Sequence, residues 1–319
     1  MRFRVKNGNS SIVWRRKKRI DKAPNPQYND ITKMLVKWGA EMLEYIWNPW
    51  HGCRKYSEGC QHCYMFYLDA QRGRNGGDIY RTKTNFNLPL KKSRTGEYKI
   101  PSGSQVHVCL TSDFFLEEAD AWRAEAWALM RQRQDLRFWL QTKRAERVAA
   151  ALPADWGSAY DHVSLCVSAE NQKRADERVP ILLSLPFREK HIMCAPMLER
   201  ITLAKYLETG QIRKVLADGE NYDGDRVLDF EWITALYEEC LAAGVLFDFI
   251  GTGNYFRKDG KLYRICKAYH QVQAQRSGMQ IPSADTKKPM QPRCRDCERN
   301  GQCNGCRWCG KCGKQETFP

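Results

Sequence analysis

The stretch HVSLCVSAENQKRADERVPILLSLPFREKHIMCAP, residues 162–196, reads as two short apolar runs joined by one amphipathic segment. The runs HVSLCVS (162–168) and KHIMCAP (190–196) are short, apolar and bounded by polar residues, as buried strands are. Between them residues 171–185 carry a helical pattern interrupted by Pro180. Strand, helix, strand is the unit from which parallel sheets are built.

The same signature recurs along the chain. EYIWNP (44–49), QVHVCLT (105–111), RFWLQT (137–142), KVLADG (214–219) and VLFDFI (245–250) read as further strands. EEADAWRAEAWALMRQR (117–133) and DFEWITALYEECLAAG (229–244) read as helices, the second stopped by Gly244. At least six βα units predict an α/β fold, with a partial or full (β/α) barrel as the leading form and an open doubly wound sheet as the alternative. Residues 71–104 have no clear period and are expected to form a polar excursion near the substrate. Polar residues gather where the runs end: Thr111, Ser112 and Asp113; Thr142, Lys143 and Arg144; Ser168, Glu170 and Asn171; Asp218, Gly219 and Glu220. In parallel βα folds those ends form the functional rim. Capping of the next helix is the competing role for residues such as Ser112 and Ser168.

Composition narrows the function. The 319 residues, 42% of them hydrophobic, can bury a sizeable core. MRFRVKNGNSSIVWRRKK lacks the apolar region of an export signal, and no run approaches a membrane span, so a cytoplasmic protein with no membrane partner is expected. There, fourteen cysteines point to metal ligation rather than to disulfides. A net charge of +15 points to a polyanionic partner, nucleic acid first. Residues 1–20 hold eight basic side chains and no acid, a binding arm or else a solvated tail.

Two cysteine clusters stand out. WNPWHGCRKYSEGCQHCYM (47–65) places Cys53, Cys60 and Cys63 close together. Three thiolates can hold a four-iron cluster and leave one iron open to a small molecule. Zinc would need a fourth ligand, such as His51 or His62, and a disulfide with a spare thiol conflicts with the compartment. The tail CRDCERNGQCNGCRWCGKCG carries Cys294, Cys297, Cys303, Cys306, Cys309 and Cys312, with too few apolar residues for its own core. Its CxxCxxCxxC run from Cys303 approaches ferredoxin spacing, which favours an auxiliary [4Fe-4S] cluster over the alternative, zinc. Cys294 and Cys297 supply the remaining ligands, are spares, or are half of a zinc site. Cys109, Cys166, Cys194, Cys240 and Cys266 lie in apolar patterns and are expected to be core thiols. The organisation is a basic extension (1–40), a barrel (41–280) and a Cys-rich metal-binding tail (281–319).

The spacing CxxxxxxCxxCY after a first strand resembles the radical S-adenosylmethionine (radical SAM) superfamily, whose commonest spacing is CxxxCxxC. More closely, the chain resembles a phage and prophage three-Cys-motif family of uncharacterised proteins. The likeness covers roughly residues 45 to 250 and includes TSDFF (111–115), LQTKRAER (140–147), VSAENQKRADERVPIL (167–182), ADGEN (217–221) and CLAAGVLFDF (240–249). It departs where the family has Cys-Glu-Pro-Leu and this chain reads Cys194, Ala195, Pro196, Met197, and where IGTGNYF replaces a lysine-containing block. The resemblance implies a barrel of radical SAM type in which Cys53, Cys60 and Cys63 ligate a [4Fe-4S] cluster. SAM would bind the open iron, an external one-electron reductant of flavodoxin or ferredoxin type would drive its cleavage, and the 5′-deoxyadenosyl radical would abstract substrate hydrogen. It further implies Tyr64 against the adenine, and Ser112 or Asp113, Lys143, Ser168, Glu170, Asn171 and, more weakly, Glu220 around SAM. The charge and the phage context suggest a nucleic-acid base or nucleotide as substrate. The competing classes are a non-catalytic, zinc-stabilised nucleic-acid-binding protein and radical chemistry on a protein or small metabolite.

Overall fold

A computed structural model describes residues 43–282, apart from Asp223 and Asp225 and the side chains of Ser158 and Ala159. The basic extension 1–40 and the tail cysteines Cys294, Cys297, Cys303, Cys306, Cys309 and Cys312 lie outside the described residues.

The strands, in chain order, are β1 (Glu44–Trp47), β2 (Trp50–His51), β3 (Tyr80–Arg81), β4 (Gln105–Val108), β5 (Arg137–Thr142), β6 (Val163–Ser168) and β7 (Lys190–Cys194), followed by β8 (Ile212–Asp218), β9 (Leu228–Asp229), β10 (Leu246–Gly251), β11 (Tyr255–Lys258), β12 (Lys261–Arg264) and β13 (Gln280–Ile281). The helices are α1 (Tyr64–Ala70), α2 (Asp120–Gln132), α3 (Ala145–Ala151), α4 (Trp156–Ala159), α5 (Gln172–Ser184), α6 (Ala204–Leu207), α7 (Phe230–Ala242) and α8 (His270–Arg276). Each of the seven strands expected from the apolar runs is present, and all seven share one mixed but mostly parallel eight-stranded sheet.

Its order is β1-β4-β5-β6-β7-β8-β10-β13. The first seven run parallel and only β13 is antiparallel. Neighbours therefore follow chain order with no reversal, and the doubly wound alternative, which requires a reversal, is not the topology observed.

The two faces of the sheet differ, because strand residues alternate sides. Val106, Leu140, Leu165, Ile192, Val215 and Phe247 belong to the main apolar core, together with Met130 of α2, Val179 of α5 and Leu236 of α7. On the other face a small cluster of Trp139, Cys166 and Leu216, with Met193 and Ile250 against it, sits among polar groups. There Lys214 pairs with Asp248 at 3.1 Å and His107 approaches Glu44 at 3.6 Å. His191 stacks on Trp139, and burial together with Lys214 pushes its pKa down to about 3, so the ring is neutral.

Three local outcomes differ from the sequence reading. Helix α5 runs through Pro180, because Val179 and Leu182 on either side are buried and tertiary packing outweighs the missing N–H. Residues 71–104 divide: Gly76 accepts from the Cys53 N–H at 3.0 Å, while Phe86 and Ile100 are buried and the Trp47 indole donates to Phe86 O at 2.9 Å. The later part is thus core cover. Cys109, Cys166, Cys194 and Cys240 are buried thiols, but Cys266 is exposed, since it follows the exposed strand β12. Among the described residues no helix is long and apolar enough to cross a membrane.

Candidate metal and cofactor pocket

The three cysteines occupy a loop whose course is forced by close backbone approaches. At Gly52 φ is +87°, and an added Cβ would lie 2.2 Å from Asp78 O, so glycine is required there. The loop then makes a 3-10 turn at Glu58–Cys60 and enters α1 with Cys63 at its N-cap position. All three thiols are free and line one cavity of about 330 Å³ at the C-terminal ends of the parallel strands. Burial, with the Asp113 charge adding to it, pushes the Cys53 thiol up to about 12. Burial likewise raises Cys63, partly offset by the Met65 and Phe66 N–H groups.

Much of the polar rim holds this loop in place. Glu170 is fully buried: one oxygen accepts from Ser57 Oγ and, at 3.4 Å, from Gly59 N–H, while the other accepts from Arg178 at 2.8 Å with Lys143 Nζ 3.8 Å away. Burial raises that carboxyl, but Lys143 and Arg178 outweigh it and hold the pKa below the usual range. Asp113 accepts from the Phe115 N–H (2.9 Å), Thr142 Oγ1 (2.8 Å), the Lys143 N–H (3.1 Å) and Arg144 (3.1 Å). Arg144 also donates to Arg54 O at 2.8 Å, and Ser112 Oγ to Gly52 O at 2.6 Å. Glu220 receives both Nε contacts of Arg226 at 3.0 Å, and Arg226 reaches Glu58 O at 3.1 Å. The Tyr64 hydroxyl donates to Leu110 O.

The expected rim residues accordingly separate. Cys53, Cys60, Cys63, Tyr64, Ser112, Asp113, Lys143, Ser168 and Glu220 line the cavity together. Glu170 and Asn171 are outside its lining: Glu170 clamps the cysteine loop, and Asn171 Oδ1 caps α5 by accepting from the Arg174 N–H at 2.9 Å. Of the two histidines considered for zinc, His51 Nε2 lies 2.6 Å from Asp69, whereas His62 borders the cavity. Among the described residues no three of His, Cys, Asp or Glu come together as a group able to hold a single metal ion.

Further groups face the same space. Thr111 Oγ1 is buried without a hydrogen-bond partner among the described residues. Gln141 donates to Ser168 Oγ at 3.3 Å. Asp218 ends β8 on the cavity wall, where burial pushes its carboxyl up to about 8 and the Gly219 N–H offsets only a part. A neutral carboxyl, a hydroxyl seeking a partner, an amide–hydroxyl pair and the Lys143 ammonium can thus receive a small polar ligand beside three thiols, with Met193 and Ile250 as apolar wall. Gln141 lies within β5, before its apolar run ends, so the polar residues that follow the runs do not include it.

Residues 37–306 match the model of a family described as Protein of unknown function (DUF5131), so the chain belongs to that family. No curated protein and no solved structure matches it.

Proposed function

We propose that this member of the family is an iron–sulfur enzyme of radical SAM type that acts on a nucleic-acid base or nucleotide. The observation that carries the reading is the convergence of three free thiols and a set of polar groups on one cavity, at the C-terminal ends of parallel strands laid down in chain order. The unreversed order supports a sheet curled toward a partial barrel, since right-handed crossovers then put every connecting helix on one face.

The donor set suits a four-iron cluster. Zinc would gather four donors at about 2.0–2.3 Å from one centre, while a cluster spreads its thiolates over separate irons, a division that three thiols on one cavity wall suit. Cys53, Cys60 and Cys63 would hold it. When bound with SAM, and given one electron, it would supply hydrogen abstraction from an unactivated carbon.

The chain's own residues would bind and orient. Lys143 suits the ligand's carboxylate, Ser168 and Thr111 its hydroxyl or amino groups, and the Tyr64 ring, following the last cysteine, an adenine. Met193 and Ile250 would exclude water. The net charge supports a polyanionic substrate. The reading includes a reducing, cytoplasmic setting, a flavodoxin- or ferredoxin-type electron donor and an auxiliary cluster, or zinc, on the six tail cysteines.

Metal analysis after anaerobic reconstitution tests the assignment. The triple variant C53A/C60A/C63A should lose about four irons and their sulfide relative to the wild type. Equal iron in both proteins, or zinc alone in a colourless wild type, overturns it.

A further inference from the structure

Strands β11 and β12 form a two-residue hairpin through Asp259 and Gly260, both at positive φ (52° and 72°), which suits the twist of a tight hairpin. Its base is firm: Phe256 packs against Phe230 and Phe249, and β11 pairs in parallel with β9. Its outer strand is not covered. All four residues of β12 are exposed at the edge of a three-stranded sheet, with Leu262 58% and Tyr263 45% accessible.

Charge and ring placement on this arm are not random. Residues 255–269 contain five basic side chains and one acid. Arg257 is taken up by Asp229 at 3.3 Å, but Lys261, Arg264 and Lys267 have no acidic partner within ion-pair distance among the described residues. Pairing across the hairpin sets Tyr255 opposite Arg264, and these two, with Ile265, Cys266 and Lys267, line a groove of about 500 Å³.

The groove adjoins the thiol cavity through one residue. Tyr222 lines the groove, carries Lys267 Nζ 3.2 Å from its ring centroid, and stacks on Tyr64 of the cavity wall with centroids 6.0 Å apart. Tyr222 adopts φ of +65°, unfavourable for a bulky residue, and Asn254 Nδ2 holds its carbonyl at 2.8 Å. Tyr222 thus links groove to cavity, while the exposed rings of Tyr263 and Tyr269 lie among Lys261, Arg264 and Lys267, as a single-stranded nucleic acid requires: bases stack on rings and phosphates meet cations.

We propose that the β11–β12 hairpin and the groove of Tyr222, Tyr255, Arg264 and Lys267 form a docking arm for single-stranded nucleic acid, leading it to the mouth of the thiol cavity. The inference rests on the nucleic-acid reading above for what the cavity receives. Binding itself does not require the cluster.

Fluorescence anisotropy of a labelled oligodeoxythymidine of about 12 nucleotides tests it on the full chain. R264E/K267E should weaken binding at least tenfold and should lower the slope of log K against log salt. Two contacts at about 0.7 each on single strands correspond to a change near 1.4. The milder R264Q/K267Q should shift binding the same way by less, and Y255A should weaken it with the salt slope unchanged. R94E/K99E, on exposed residues elsewhere, makes the same charge change and should have little effect.

An equal loss in R94E/K99E means only diffuse electrostatics and overturns the proposal. So does absence of oligonucleotide binding by the wild type at low salt. If the hairpin variants bind the oligonucleotide normally but accept electrons poorly from an acidic flavoprotein, the arm docks a protein and the proposal fails. SAM cleavage, assayed without any oligonucleotide, stands or falls separately and so distinguishes failure of the arm from failure of the enzyme reading.

Discussion

Glu170 illustrates how a residue's surroundings set its role. A carboxylate at a strand end suits a small-molecule contact, yet this one is fully buried between Ser57, Gly59, Lys143 and Arg178, and it fastens the cysteine loop to β6. Removing a buried charge while its partners remain is strongly destabilising, so E170A should lower unfolding free energy by about 3–5 kcal/mol in urea titrations. A loss under about 1 kcal/mol would show that the clamp is not under load. Asp218 differs, because burial raises its pKa from 3.8 to about 8. Between those values the folded chain holds a proton that the unfolded chain has released. Stability therefore falls as pH rises, and the penalty is complete once pH passes the folded value. D218N has no proton to lose, so its stability relative to the wild type should improve from pH 5 to pH 8 by on the order of 1–3 kcal/mol. A constant difference over that range would contradict the buried, neutral carboxyl. Neither environment was legible in the sequence, since burial is set by the fold and the loop that Glu170 holds lies far away along the chain. Ser57 is 113 residues from Glu170.

Elements were more legible than side chains. Seven apolar runs matched seven strands: β6 is buried at every position, while β4 and β10 alternate buried with half-buried residues, and both patterns leave a short apolar run bounded by polar residues. Strand order was not legible, since periodicity carries no information about neighbours, and the hairpin β11–β12 was missed because an exposed polar edge has no such run. Helix α1 was not legible for another reason: its seven residues are too short for a period, and no side chain caps its start. At this scale the joints between strand ends and loop should bear the strain of substitution. Asp113 joins the segment after β4 to the end of β5 and the turn that follows through three donors, from Thr142, Lys143 and Arg144, so D113A should cost about 3–5 kcal/mol in chemical denaturation. Gly219 offers a steric test, since an added Cβ would lie 2.4 Å from Thr252 O and 2.7 Å from Gly253 N. G219A must push the tips of β8 and β10 apart and should destabilise the fold. G96A, at positive φ but in open space, should cost only about 1 kcal/mol. Equal costs would mean that the two strand tips yield easily.

Across the molecule, one arrangement recurs: Ser112, Arg144, Glu170 and Arg226 each reach the cysteine loop from a different part of the rim, and a second set of polar groups faces the cavity. Such a division is what a preorganised ligand set needs, because thiols on a loose loop would not keep their spacing. The motif, the strand-end position and the charge could be read from the chain, whereas this bracing could be seen only once the fold brought Arg226, Arg144 and Glu170 around the loop. On the reading proposed above, the braced thiols carry one-electron SAM chemistry. Its most direct test is 5′-deoxyadenosine formation by the reconstituted chain with SAM and dithionite under anaerobic conditions. The wild type should form product and C53A/C60A/C63A none, the tail cysteines being intact in both. Equal product from the two proteins, or none from an iron-loaded wild type, would contradict it.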